Sequence, residues 1–176
     1  GESFYLSPPF YKDYVKKLYC LKRQYPFLSL FSAGRSVQGR KIYAISVGKM
    51  QSPVIFMGAF HAQEWLTALV CLRLCEEVCG SLTAGLSMCG ISLDAALRGR
   101  QIWILPMVNP DGVDVALYGS DAAGEYAPFA AAAGGDVHGL WQANARGVDI
   151  NHNFNAGWTQ MQDLARKNGK DCPGPR

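Results

Sequence analysis

The stretch Pro53-Val54-Ile55-Phe56-Met57-Gly58-Ala59-Phe60-His61-Ala62-Gln63-Glu64-Trp65 decides how the chain is read. Val54 to Phe60 is rich in β-branched and aromatic residues, follows a proline and is too short for a helix, so it reads as a buried strand. From Trp65 onward Leu66, Leu69, Val70, Leu72, Leu74 and Val78 recur at helical spacing. His61 is therefore expected at the carboxyl end of a strand, with Glu64 in the first turn of the next helix. In an open α/β sheet that edge is where ligands bind. An imidazole nitrogen and a carboxylate oxygen at this spacing can both reach one Zn²⁺ at about 2.0–2.2 Å. The same spacing also describes a solvated helical turn with a satisfied histidine, and the rest of the chain has to decide.

A length of 176 residues suits one domain that buries most of its apolar surface without staples. Aliphatic and aromatic content of 49% with 18% charged residues belongs to ordinary globular proteins. The net charge of +3 is small and no basic run occurs, which argues against nucleic acid as a partner. No apolar stretch approaches the ~18 residues of a membrane helix, so no membrane partner is expected either. No leader pattern is visible, although Gly1 is compatible with a processed end. Cys71, Cys75 and Cys79 recur every fourth residue on one face of the expected helix, where free cysteine acts as a small buried hydrophobe. No CxxC pair suggests a zinc cluster. Reduced thiols and a cytoplasmic or otherwise reducing setting are expected.

Taken in order, Tyr11 to Tyr25 reads as an amphipathic helix and Phe27 to Ser32 as a short strand. Gly34 to Arg40 is a glycine turn leading into a strand over Lys41 to Val47, which suggests an antiparallel pair. After the long helix to about Gly80, Ser81 to Gly90 is a connection and Ser92 to Leu97 a short helix. Gln101 to Val108 reads as a buried strand ending around Pro106. Asn109-Pro110-Asp111-Gly112 follows as a structural turn beside the pocket. Gly119 to Gly139 carries Ala, Gly, Asp and Pro without periodicity and reads as a long connection, either functional or mobile. Trp141 to Trp158 is polar and asparagine-rich, costly to bury without partners, and reads as part of a site or as a set of Asx turns. Within it Asp149 is expected to brace the loop carrying Asn151. Thr159 to Asn168 is a last helix, and Asp171 to Arg176 a loop.

Three stretches together resemble one family: Gly58 to Trp65, Pro106-Met107-Val108-Asn109-Pro110-Asp111-Gly112-Val113, and Arg146-Gly147-Val148-Asp149-Ile150-Asn151-His152-Asn153-Phe154. In order and spacing they look like the zinc carboxypeptidases, and most like the bacterial members that cleave cell-wall peptides at γ-D-glutamyl-diamino acid bonds. The similarity runs from about Tyr5 to Arg176. It implies an α/β domain with a mixed parallel and antiparallel sheet and helices on both faces, spanning 1–176 as a single, incomplete catalytic domain. It implies zinc as cofactor and a peptide or cell-wall peptide as substrate. His61 and Glu64 correspond to two zinc ligands. The family's second zinc histidine, its general-base glutamate and a substrate-contacting tyrosine have no counterpart in this sequence, so no catalytic residue proper is assigned and the site is incomplete.

The resemblance also carries substrate-binding roles to Gln63, Arg146, Asn151 and His152, with departures. Gln63 stands where the family has an arginine between the His and the Glu. His152 stands where an arginine follows the asparagine. Leu140-Trp141-Gln142 replaces a basic neighbourhood around the tryptophan. Each change removes a positive charge from where a substrate carboxylate or oxyanion would lie, and a histidine has no bidentate fork. Three readings follow. The chain is a portion of a zinc peptidase, inactive by itself for want of a third ligand and a base. It is a non-catalytic peptide-binding module that kept the fold. Or His152, or a partner chain, supplies a third ligand; His138 reads as a surface residue. An uncovered fourth-strand edge or helix face is expected to drive self-association.

Overall fold

Helix α1 (Tyr11–Gln24) presents Tyr14, Leu18 and Leu21 as its buried stripe, a spacing that places all three on one face. The computed structural model describes residues 2–49, 53–134 and 139–169. Strand β1 (Ser29–Arg35) and strand β2 (Lys41–Gly48) pair antiparallel, with a register shift between Ser32 and Gly34. The first strand thus runs further than the glycine at 34 suggests, and Ser36 to Arg40 closes the turn. Strand β3 (Pro53–Met57) comes next, followed by a 3₁₀ turn at Ala62–Glu64 and helix α2 (Leu66–Ala84). Gly85 ends that helix in the left-handed region at φ 64°, which a residue without a Cβ adopts freely. Two-residue strands β4 (Ser87–Met88) and β5 (Ile91–Ser92) form a small hairpin, and helix α3 (Leu93–Ala96) is capped by the Ser92 hydroxyl. Strand β6 (Gln101–Leu105) stops just before Pro106.

The chain forms two compact units. The first comprises Gly1–Arg35, Lys41–Ala59 and Trp65–Val108. Its sheet has the order β1-β2-β6-β3, with β6 antiparallel to β2 and parallel to β3. This is the mixed α/β sheet that the sequence implies. Tyr43, Ala44, Ile45, Ser46 and Val47 of β2 are all buried. Because successive side chains point to opposite faces, both faces are covered there. In α2, Cys71, Cys75 and Cys79 are buried together and carry no disulfide. Burial pushes the Cys71 thiol pKa up.

Strand β3 corrects the expectation of a buried strand over Val54 to Phe60. Pairing ends at Met57, and Val54, Ile55, Phe56 and Met57 are each 40–53% exposed. The reason is topological: among the described residues β6 is the one strand paired with β3, which forms the sheet edge. Beyond it Gly58 passes so close to the Thr67 and Pro106 carbonyls that a Cβ would lie 2.8 Å from each.

The second unit comprises Ser36–Arg40, Phe60–Glu64 and Asn109–Arg176. It holds helix α4 (Pro110–Tyr118), a 3₁₀ segment at Ser120–Tyr126, helix α5 (Ala127–Ala132) and helix α6 (Trp158–Lys167). Ala62, Val115, Ala116, Ala123, Ala130, Trp141 and Ala145 form its core. Two expectations are corrected here. Asn109 to Gly112 is not a turn but the capped start of α4, with proline at the first helical position. The alanine-rich stretch is largely helical rather than a long connection. Alanine has the highest helix propensity, and an all-small sequence shows no apolar period to reveal it. His138 and the Asp171–Arg176 loop lie outside the described residues.

Candidate metal centre

The site is built on three segments held together by one buried asparagine. Asn109, 2% exposed, accepts from the Gly112 amide at 3.0 Å, which caps α4. Its Nδ2 donates to the carbonyls of Phe60 at 3.1 Å and Ala143 at 3.0 Å. The segment leading to His61 and the loop leading to Asp149 are thereby tied to the same helix start. The Ala62 amide adds a bond to the Gln142 carbonyl at 3.0 Å. Gly112 permits this convergence: a Cβ there would stand 2.2 Å from the Ala143 oxygen.

A charged cluster also fastens α4. The buried Asp111 carboxylate accepts from the Ser36 hydroxyl at 2.8 Å and the Gln38 amide at 2.9 Å. Arg40 reaches Asp114 at 2.8 Å and Asp111 at 3.5 Å. The glycine turn at 36–40 is thus anchored by Asp111 in the first turn of the helix, where the macrodipole favours an acid, and by Asp114 one turn on.

His61 lies between two carboxylates. Its Nδ1 is 3.2 Å from Glu64 Oε1, and its Nε2 is 3.5 Å from Asp149 Oδ1. Two donors on one tetrahedral zinc at about 2.1 Å stand roughly 3.4 Å apart, so the His61–Glu64 pair fits a shared ion. Asp149 braces its own loop: Oδ1 accepts the His152 amide at 3.2 Å, and Oδ2 meets His152 Nδ1 at 2.8 Å. Burial works to raise the Asp149 pKa, but the bonds from His152 and the nearness of His61 outweigh it and hold that carboxyl below its ordinary value. The two imidazoles lie 6.1 Å apart, centre to centre.

The remaining residues named from the sequence lie on the same chain segments as His61 and Asp149. Gln63 is half-buried in the 3₁₀ turn and Asn151 is exposed in the turn before His152. Arg146 is exposed on a loop whose amides at Arg146 and Val148 both bond Asn144 Oδ1, at 2.9 and 3.1 Å. Arg146 borders a cleft of about 220 Å³ with Asn144, Val148, Ile150, Asn153 and Phe154. The linking role of Asn109 goes beyond the turn read from the sequence. The available signal was the run Asn-Pro-Asp ahead of an apolar stretch, a helix-start signature.

Comparison with known proteins agrees with this arrangement. The zinc carboxypeptidase family profile matches residues 14–173. The chain is 34% identical over 146 residues to an uncharacterized protein of Bacillus subtilis, covering 76% of this chain and 37% of the relative. It is 30% identical over 164 residues to the gamma-D-glutamyl-L-diamino acid endopeptidase 1 of Lysinibacillus sphaericus, covering 92% of this chain and 40% of that protein. The chain thus spans about two fifths of the length of these curated relatives. The crystal structure of thrombin activatable fibrinolysis inhibitor superposes with a TM-score of 0.65 at 17% identity, over 97% of this chain and 46% of that one. A match over nearly the whole chain, on a mixed sheet and with the His61–Glu64 pair at ligand spacing, places this protein in the zinc carboxypeptidase family.

Proposed function

We propose that the protein is part of a zinc metallopeptidase acting on peptides of the γ-D-glutamyl-diamino acid kind. His61 and Glu64 would contribute two of the zinc ligands, and the observation that carries this is their 3.2 Å separation. Bound zinc of this kind polarises a peptide carbonyl and acidifies its water. The chain's own residues supply the surroundings. Asn151 and His152 face the bound peptide's carboxylate side, with Gln63 and Arg146 at its border. With neutral Gln63 and a histidine at 152, anion binding here is weaker than a bidentate arginine gives. These 176 residues, with two implied ligands and no assigned base, are not expected to hydrolyse the peptide alone.

A non-catalytic peptide-binding role is the second reading, favoured by the three missing positive charges. Calorimetric titration of a γ-D-glutamyl-diamino acid peptide, with zinc and again with chelator, separates them. The peptidase reading expects peptide binding that needs zinc and is lost in His61→Ala. Binding unchanged by chelator and by His61→Ala overturns it and leaves the binding module. Assaying hydrolysis alongside checks the expected inactivity.

A further inference from the structure

We propose that the first unit carries a binding cleft for a small zwitterion with an apolar side chain, of the apolar α-amino acid kind. Lys49 and Arg98 take its carboxylate and Asp94 its ammonium. The cleft is independent of the reading above, since all its lining residues belong to the first unit and none is a zinc ligand named there.

Local structure builds the cleft from connections between elements. Phe27 stands between α1 and β1, its ring centre 6.0 Å from that of Tyr25. Gly48 ends β2 opposite Gln101, and it passes so close to the Arg100 carbonyl that a Cβ would lie 2.5 Å from that oxygen. Leu97 and Gly99 lie in the bend leading from α3 into β6, which the Arg100 amide closes on the Leu97 carbonyl at 3.2 Å. The space between these segments is about 460 Å³, within the range of small-molecule sites. Its apolar lining is Val47, which is buried, Leu82 and Leu97, which are half-buried, and the Phe27 ring, which is 51% exposed. An apolar group seated there takes that surface out of water.

The charges at the cleft specify the rest of the ligand. Lys49, Asp94 and Arg98 border it and are all exposed. Arg98 follows Asp94 by four residues, the spacing at which an acid and a base pair along a helix. Helix α3 ends at Ala96, however, and Leu97 leaves the helical path at φ −91° and ψ 4°. Among the described residues no ion pair engages Lys49, Asp94 or Arg98. A simple anion would meet Asp94 along with the two cations, and a simple amine would meet two like charges. A zwitterion answers both signs with charge-assisted hydrogen bonds, two cations for the two carboxylate oxygens and one acid for the ammonium. An α-amino acid joins those two groups to a side chain that can cover Phe27 and the leucines.

The test titrates L-phenylalanine into the ¹⁵N-labelled chain in the presence of a zinc chelator, reading amide shifts by nuclear magnetic resonance. Phenylpropanoate and phenylethylamine, which each lack one charge, are titrated beside it. The expected result is saturable binding of phenylalanine at about 1 mM or tighter, the scale for so small a ligand. The Gly48, Arg98 and Gly99 amides should shift while those of His61 and Asn151 stay. Each one-charge relative should bind about tenfold more weakly, the scale of one charge-assisted hydrogen bond. Asp94→Asn should weaken phenylalanine about tenfold but not phenylpropanoate, and Arg98→Gln should weaken both about tenfold but not phenylethylamine. Both side chains are exposed, so the core is untouched by either change. Phenylpropanoate bound as tightly as phenylalanine overturns the zwitterion, as does phenylalanine binding unchanged by both substitutions. Absence of saturable binding in the wild-type chain overturns the cleft. Binding that appears only with zinc and is lost in His61→Ala also overturns it and leaves the peptidase reading standing. Failure of that reading's own peptide titration leaves the cleft as it is.

Discussion

Asn109 donates to the Phe60 carbonyl at 3.1 Å, one residue before His61, and to the Ala143 carbonyl at 3.0 Å. One buried side chain therefore sets the spacing between the segment that presents His61 and the loop that leads to Asp149. Asn109→Asp keeps the cap oxygen for Gly112 but replaces a double donor with a second acceptor against two carbonyls. The variant should lose about 3 kcal/mol of stability, the scale of buried groups left unsatisfied. It should also weaken zinc binding. A thermal melt and a zinc titration on the same sample check both, and an unchanged melt would remove Asn109 from this role.

Gly112 has an ordinary backbone but no room. A Cβ would meet the Ala143 oxygen at 2.2 Å and Asn109 Nδ2 at 2.4 Å, and a backbone carbonyl on the other side cannot rotate away. Gly112→Ala should destabilise by about 3 kcal/mol through overpacking. Gly134→Ala is no equivalent control, since its φ of 89° is itself unfavourable for a side chain. Gly34→Ala is the better one, with open space around it and no positive φ, and it should leave the melting temperature within a degree or two.

Glu76 ties α2 to the start of the chain. It accepts the Tyr5 hydroxyl at 2.6 Å and pairs with the Lys17 ammonium. Burial raises its pKa, but the Lys17 and Tyr5 bonds and the Arg73 charge outweigh it, so the net direction is downward from the ordinary carboxylate value. A carboxylate with a lowered folded pKa stabilises above its unfolded pKa, and the gain is lost as pH falls through the folded value. Wild-type protein should therefore lose on the order of 1 kcal/mol between pH 6 and about pH 3 that Glu76→Gln does not lose, a size limited by solvent screening. Melting curves of both proteins across that range are the measurement, and parallel curves would count against the assignment.

The outer edge of β3 is uncharged, and its apolar residues Val54, Ile55, Phe56 and Met57 are half-exposed. A bare strand edge of this composition is matched by another of the same kind, and a second copy of the chain offers one. Sedimentation velocity at micromolar concentration should show dimer, and Ile55→Lys should return it to monomer. Wild-type protein that sediments as monomer throughout sinks the idea.

The order of elements was readable because apolar period and turn chemistry are local. The stripe of α1, the alternation in β2 and the long α2 with its cysteine face all stand at the positions that spacing indicated. The pairing of a histidine with a glutamate in the next turn was readable for the same reason, since residues at that spacing meet whatever surrounds them. The start of α4 was readable in principle, from Asn109 and Pro110, but glycine and proline there also spell a turn. Other features depend on residues far apart in the chain. That β3 is an edge follows from β6 inserting between it and β2. That Asn109 is a link follows from carbonyls 49 and 34 residues away in sequence. Asp149 was readable as the brace of its own loop; that it also faces His61 required tertiary structure, because charge and hydrogen-bond geometry between distant segments leave no periodic trace in sequence. The chain itself determined its family, most of its strands and helices and the candidate donors; packing alone decided which of those donors face one another and which strand was left uncovered.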